Sequence, residues 1–232
     1  MFNQPIKQIS PTLLLGLTDE GLVDIPEHKC LLHPLVVEPL RALTAAAEAA
    51  GFKLKVASSY RGFERQLSIW NNKVAGIRPV LDNDGQPLDL SQLNEKEQIF
   101  AILRWSALPG ASRHHWGTDL DIYDNSSIAA DYALQLTLEE TQGDGPFAAF
   151  HCWLSAELEA NPRGFFRPYQ KDKGGIAPEP WHLSYAPVAS LYAAQLTEDI
   201  VRAQLQITDI ALKETLLENL SEIYQRFIQP YC

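Results

Sequence analysis

The segment GTDLDIYD, residues 117–124, alternates strictly, with Leu120 and Ile122 pointing one way and Asp119, Asp121 and Tyr123 the other. A period of two predicts a strand with an apolar back and an acidic front, and the back must be covered by other apolar parts of the chain. SRHHW directly precedes it, so two histidines and three aspartates fall within residues 112–124. Taken alone, this stretch is either a solvated loop running into the wet face of an edge strand or two of the three protein ligands of a metal site.

A second constraint comes about sixty residues later, at EPWHLSY, where Glu179 and His182 are three apart. Pro180 forbids a helix interior and pushes Glu179 toward an extended conformation, so this is not a helical H-E-x-x-H zinc motif. A catalytic zinc site needs three protein ligands, an open position for water, and a nearby carboxylate to take the water's proton. One His and one Asp from the first stretch, with one His and a Glu from the second, supply that set.

Between and around these stretches the patterning is mixed. HPLVVEPLRALTAAAEAAG places Val36, Val37, Leu40, Leu43 and Ala47 at helical spacing and stops at Gly51, and FKLKVASS then alternates as a half-buried strand through Phe52, Leu54 and Val56. FERQLSIWNNKVAG reads as a helix with Phe63, Leu67 and Trp70 inward, and NEKEQIFAILRWSAL as another carrying Ile99, Ile102, Leu103 and Trp105. PVLDNDGQPLDLSQLN between them is a long loop or small exposed hairpin, of a length that often covers a site. PFAAFHCWLSAELEAN is an amphipathic helix, GFFRPY a short extended piece, and residues 187–231 hold two helical patterns, with Leu212, Leu216, Leu220 and Ile223 on one face of the second. Without regular βαβ alternation the expectation is α+β, with a small, mainly antiparallel sheet.

At 232 residues the chain can bury one substantial core, and one domain is the default. A net charge of -10 without any Lys/Arg run argues against nucleic acid and acidic membrane surfaces as partners. The N-terminal stretch MFNQPIKQISPTLLLGLTDE has one lysine and only a short apolar run at LLLGL, so neither a secretory signal nor a membrane span is expected, and the natural compartment is the cytoplasm. Cys30, Cys152 and Cys232 are odd in number and widely spaced, which supports reduced thiols; Cys152, in the apolar run FAAFHCWL, is expected to be buried and inert.

SRHHWGTDLD matches the pattern S-x-H-x-x-G-x-x-x-D, EPWH matches E-x-W-H, and SSYRGFERQ matches S-x-Y-R-x-x-x-x-Q. Taken along the chain, SSYRGFERQ, then SRHHWGTDLD, then EPWH, over residues 58 to 182, the three segments stand in the family order and resemble zinc D,D-carboxypeptidases of the VanY and VanX kind, which share a fold with lysostaphin-type peptidases and the hedgehog signalling domain. The resemblance implies a hedgehog/DD-peptidase-like core over about residues 30–186, with residues 187–232 as a helical extension. It implies zinc as cofactor, His114, Asp121 and His182 as its ligands, Glu179 as general base, and Arg61 beside the scissile carbonyl and the substrate's carboxylate. Ser59, Tyr60, Gln66 and Ser112 carry over as residues that line or brace the substrate pocket. Two positions stay open. His115 is a flanking residue, either a donor to the site or a packed or solvated side chain; Asp119, where the family has a small residue, orients a ligand, faces solvent, or displaces Asp121 as ligand. His33 and His151, outside any motif, are expected to be structural.

The family removes a C-terminal D-amino acid from cell-wall peptides by metal-assisted hydrolysis. With the cytoplasm as the expected compartment, the substrate is a murein peptide met inside the cell. An L,D-carboxypeptidase that shortens recovered tetrapeptide to tripeptide is then favoured over a D,D-carboxypeptidase acting on D-Ala-D-Ala-terminated precursors. A zinc-bearing binding module is the alternative from another class; it would keep the ligands and lose the base or the arginine, and both Glu179 and Arg61 are present.

Overall fold

A computed structural model describes residues 8–83 and 85–232. The N-terminal reading therefore falls partly outside the described residues, as does Asp84 of the long loop. Among the described residues no helix is long and apolar enough to cross a membrane.

The acidic stretch forms strand β4 (Asp119–Asp124), central in a four-stranded sheet with β3 (Leu54–Ser58), β5 (Phe165–Phe166) and β6 (His182–Tyr185). The order is β3-β4-β6-β5 and every neighbouring pair is antiparallel. A separate hairpin, β1 (Val23–Ile25) with β2 (Cys30–Leu32), was not foreseen, because strands of three residues carry no readable alternation.

The expected division of β4 holds on its back face. Leu120 and Ile122 are fully buried in a cluster with Leu183, Leu54 and Phe165. That cluster includes Val36, Leu40, Leu43 and Ala47 of helix α2 (Pro34–Ala49) and Phe150 and Leu154 of α6 (Ala148–Ala160). The front is not wet: Asp119, Asp121 and Asp124 are buried too. Burying a carboxylate is costly unless it is paired and hydrogen-bonded, so an acidic face under cover is itself a sign of a built site.

Helix α3 (Phe63–Val74) turns Phe63 and Trp70 inward but also Gln66, which has no exposure, while Leu67 is half-buried. Helix α4 (Glu95–Trp105) starts at a capping box in which Asn94 and Glu97 satisfy each other's backbone N–H groups. Between them, Leu81 and Pro87 form one bridge, so the loop carries only a rudimentary hairpin. Short helices α1 (Pro11–Leu14) and α5 (Leu138–Thr141) escaped the sequence reading.

The two C-terminal helical patterns are broken into shorter pieces. α7 (Ala186–Ala193) and α8 (Glu198–Ile207) are separated by Thr197, whose hydroxyl caps α8. α9 (Lys213–Glu218) starts after Leu212, which adopts left-handed backbone, and Asn219 separates it from α10 (Leu220–Ile223). These helices share one apolar cluster with Leu14, Leu15, Trp70, Ile99, Ile102 and Trp116, so the extension completes the core instead of hanging from it.

One expectation is corrected: Cys152 is exposed. α6 directs Phe150, His151 and Leu154 inward, and the rotation of about 100° per residue carries Cys152 off that face.

Candidate metal and catalytic site

Antiparallel pairing of β4 with β6 puts Asp121 directly opposite His182, Leu120 opposite Leu183 and Asp119 opposite Ser184. The distance in sequence between the two motifs is thereby closed by strand register. His114 comes from a 3₁₀ turn (Arg113–Trp116) that ends at Gly117, φ +65°. A Cβ on Gly117 would lie 2.8 Å from Leu22 Cδ2 and 3.0 Å from the His33 backbone nitrogen, so the left-handed turn that aims His114 at β4 requires glycine.

His114, Asp121 and His182 each offer one ligand atom, and these atoms lie within 4.8 Å of one another. His114 Nδ1 lies 2.8 Å from the Ser59 carbonyl, which fixes the proton on Nδ1 and leaves Nε2 facing Asp121 Oδ2 at 3.3 Å. His182 is set the other way round. Its Nε2 lies 2.9 Å from Asp119 Oδ1, so Nδ1 is the atom left toward Asp121 Oδ1, at 3.1 Å, and toward Glu179 Oε2, at 3.5 Å. Asp121 Oδ1 is buried and has no aligned hydrogen-bond donor despite that close approach. Two imidazole nitrogens with their outer N–H groups engaged, and a carboxylate oxygen without a donor, fit a divalent cation.

The electrostatics agree. Burial would by itself raise the Asp121 carboxyl and lower the His182 imidazole, yet His114 and His182 hold Asp121 well below the usual carboxylate range. Asp119, Asp121 and Glu179 likewise lift His182 well above its ordinary value. Three carboxylates around one imidazole make a place where positive charge is favoured, whether a proton or a metal ion supplies it.

Asp119 is neither solvated nor part of the triad. It is fully buried, accepts from Arg113 Nε at 2.9 Å, from Thr118 Oγ1 at 2.7 Å and from Ser184 Oγ at 3.1 Å, and orients His182. Arg113, also buried, donates onward to Ser184 Oγ and to the Tyr231 carbonyl at 2.5 Å. The sequence reading missed Arg113, Ser184 and Tyr231, since nothing in their spacing announces that the last turn of the chain closes behind His182. Tyr169 was also missed; its ring packs edge-on to His182 at 4.7 Å.

Glu179 and Arg61 line the same cleft as the triad, together with Ser112, Tyr169 and Trp181, in a space of about 640 Å³. Arg61 is held from behind: Nη1 donates to Gln66 Oε1 at 2.9 Å and Nη2 to Ser58 Oγ at 3.0 Å, while Gln66 Nε2 donates to the Ala107 carbonyl. Gln66 therefore sits behind the arginine and does not line the cleft. Ser59 contributes its carbonyl to His114, the Tyr60 hydroxyl reaches the Gly16 carbonyl, and neither residue is among those that line the cleft.

His115 is buried, accepts from the Gly110 N–H at 3.0 Å and approaches the Arg61 carbonyl through Nδ1 at 2.6 Å. Burial pushes its pKa down to about 3, so it is a neutral brace for the Arg61 turn. His33 caps α2, accepting from the Leu35 N–H, and His151 is buried against Phe150. Trp116 belongs to the core, its indole N–H donated to the Leu14 carbonyl, whereas Trp181 walls the cleft.

Against known proteins, residues 29–188 match the family profile described as VanY, D-alanyl-D-alanine carboxypeptidase. Two uncharacterised proteins of Haemophilus influenzae are similar: one is 43% identical over 104 residues, which is 44% of this chain and 71% of that protein. The other is 32% identical over 125 residues, 52% of this chain and 92% of that protein. Among solved structures, a variant of the vancomycin-resistance D,D-pentapeptidase VanY in complex with Zn(II) aligns at a TM-score of 0.50 with 23% identity, covering 84% of this chain and 88% of that one. The likeness in fold agrees with the sequence match over the motif-bearing core, and the chain belongs to the VanY family of D-alanyl-D-alanine carboxypeptidases.

Proposed function

We propose that this protein is a zinc carboxypeptidase that removes the C-terminal D-alanine from murein peptides, with His114 Nε2, Asp121 and His182 Nδ1 holding the metal. The observation that carries the reading is the convergence of those three atoms with Glu179 beside them in one cleft. Zinc supplies Lewis acidity, which polarises a carbonyl and brings the pKa of water to about 7. Glu179 takes a proton from the attacking water as its oxygen bonds to the scissile carbonyl carbon. It then returns that proton to the leaving nitrogen as the C–N bond breaks, so the products are a shortened peptide carboxylate and free D-alanine. Arg61, fixed by Gln66 and Ser58, presents a guanidinium to carbonyl or carboxylate oxygen without having to be ordered during the reaction.

For the bond cut, the reading is L,D cleavage, tetrapeptide to tripeptide, in cytoplasmic recycling of murein. What supports it is economy. A D,D-carboxypeptidase working beside wall precursors consumes the pentapeptide that cross-linking needs, and trimming recovered tetrapeptide has no such cost. The test is incubation of zinc-loaded protein, with and without chelator, with murein tetrapeptide and pentapeptide, and mass measurement of the products. Chelator-sensitive loss of one alanine from the tetrapeptide supports the reading; loss from the pentapeptide alone replaces it with D,D cleavage.

A further inference from the structure

The chain as a whole is acidic, with 29 Asp and Glu against 19 Lys and Arg. The cleft departs from that balance. Its walls carry Arg61, Lys73 and Arg78 against Asp121, Glu139 and Glu179, and two of those three carboxylates belong to the metal and the base. With a divalent ion offsetting Asp121 and Glu179, Glu139 is the carboxylate among the described lining residues that remains to face three cations. Arg61 is accounted for by Gln66 and Ser58. The Lys73 and Arg78 side chains, by contrast, make no hydrogen bond or ion pair with any described residue.

Lys73 lies in the last turn of α3 and is half-buried, and Arg78 follows in the turn after that helix. Burial, with Arg78 nearby, pushes the Lys73 pKa down to about 8, as expected of an ammonium that lacks an anion. Two neighbouring cations, one half-buried and one exposed, without a counter-charge among the described residues and on the wall of a substrate cleft, attract negative charge.

The three cations lie close together. Arg61 precedes the first turn of α3, Lys73 lies in its last and Arg78 follows it, yet all three line one cleft, and Arg78 acts on the charge of both Arg61 and Lys73. A carboxylate one or two residues upstream of a bond cut near Arg61 therefore enters the same field.

We propose that Lys73 and Arg78 form a second carboxylate-binding subsite in this cleft, selecting murein peptides that carry a free carboxylate upstream of the D-residue removed. The inference rests on the reading of the cleft as a murein carboxypeptidase site. It separates two kinds of wall peptide by chemistry: stems whose upstream carboxylates are free, as in an unamidated diamino-dicarboxylic residue, and stems in which they are carboxamides.

The test uses zinc-loaded Glu179→Gln protein, in which cleavage is slowed by about 10²- to 10⁴-fold, and a tetrapeptide with its upstream carboxylates either free or amidated. Calorimetry is expected to show the free form bound about tenfold more tightly or better. That ratio is expected to persist in Lys73→Arg and to fall within about twofold in Lys73→Met/Arg78→Gln, with zinc content reporting that each protein is folded. Equal binding of the two forms, a preference that survives the double substitution, or failure of the free form to bind overturns the subsite. The wild-type enzyme is assayed in parallel by product mass. Absence of turnover on both peptides contradicts the carboxypeptidase reading, whereas turnover of both with equal affinities leaves that reading standing and removes only the subsite.

Discussion

Asp121 and His182 face each other across the β4–β6 pair, with His182 Nδ1 3.1 Å from Asp121 Oδ1, while Asp119, two residues before Asp121, holds the opposite nitrogen of the same ring at 2.9 Å. One strand thus supplies both a proposed ligand and the group that orients the next proposed ligand. Strand periodicity explains how: residues i and i+2 share a face, and the partner strand offers its imidazole between them.

Asp119→Asn removes the charge that fixes His182 with its proton on Nε2. Zinc affinity, read by competition with a chelator, is expected to fall by about 10- to 100-fold. Asp119→Ala also strands the buried Arg113 and is expected to destabilise the protein by about 3–5 kcal/mol in denaturant melts. Unchanged affinity in the Asn variant would show that His182 needs no such partner.

Glu179→Gln leaves all three ligand atoms in place. Zinc content should stay at one per chain while kcat falls by about 10²- to 10⁴-fold. A variant that retains full turnover removes Glu179 from proton transfer.

Gln66→Ala acts at a distance. Gln66 does not line the cleft, but it grips Arg61 Nη1, so its loss frees the guanidinium. The expected result is a fall of about tenfold in kcat/KM with zinc binding retained, and Arg61→Lys should lose more because an ammonium cannot reproduce the fork. Equal kcat/KM for Gln66→Ala and wild type contradicts the bracing role.

Without metal, stability and pH are linked through His182. Its folded pKa is raised, so its contribution is complete below the unfolded value of about 6.5 and is lost as pH rises through the folded value. Asp119 and Asp121 have lowered pKa values, so their contribution is present above about pH 4 and is lost only as pH falls through the folded values. A metal displaces the His182 proton, so the rise in Tm produced by zinc is expected to grow between about pH 6 and pH 8. Thermal melts with and without zinc check this, and a rise that shrinks over that interval contradicts it.

The parts legible in sequence were those with local causes. GTDLDIYD alternates within one strand and Pro180 excludes helix locally, so the strand and the extended Glu179 segment could be read without tertiary structure, while the expected ligands and base came from the three motifs that resemble the family. The role of Asp119 could not, because its cover depends on Arg113 reaching the Tyr231 carbonyl, 118 residues away. The same holds for Gln66: the resemblance implied a residue that lines or braces the pocket, and only the packing of α3 against the Ala107 carbonyl distinguishes the two by setting it behind the arginine. The C-terminal helices kept a correct apolar stripe through Leu216, Leu220 and Ile223, but their breaks at Thr197 and Asn219 come from caps that periodicity does not encode.

Crystals of zinc-loaded protein, measured on both sides of the zinc absorption edge, test the metal centre most directly. The account predicts one anomalous peak at about 2.0–2.2 Å from His114 Nε2, an Asp121 oxygen and His182 Nδ1, with Glu179 outside the coordination sphere. A peak bound by Asp119 in place of Asp121, or no peak between His114 and His182, contradicts it.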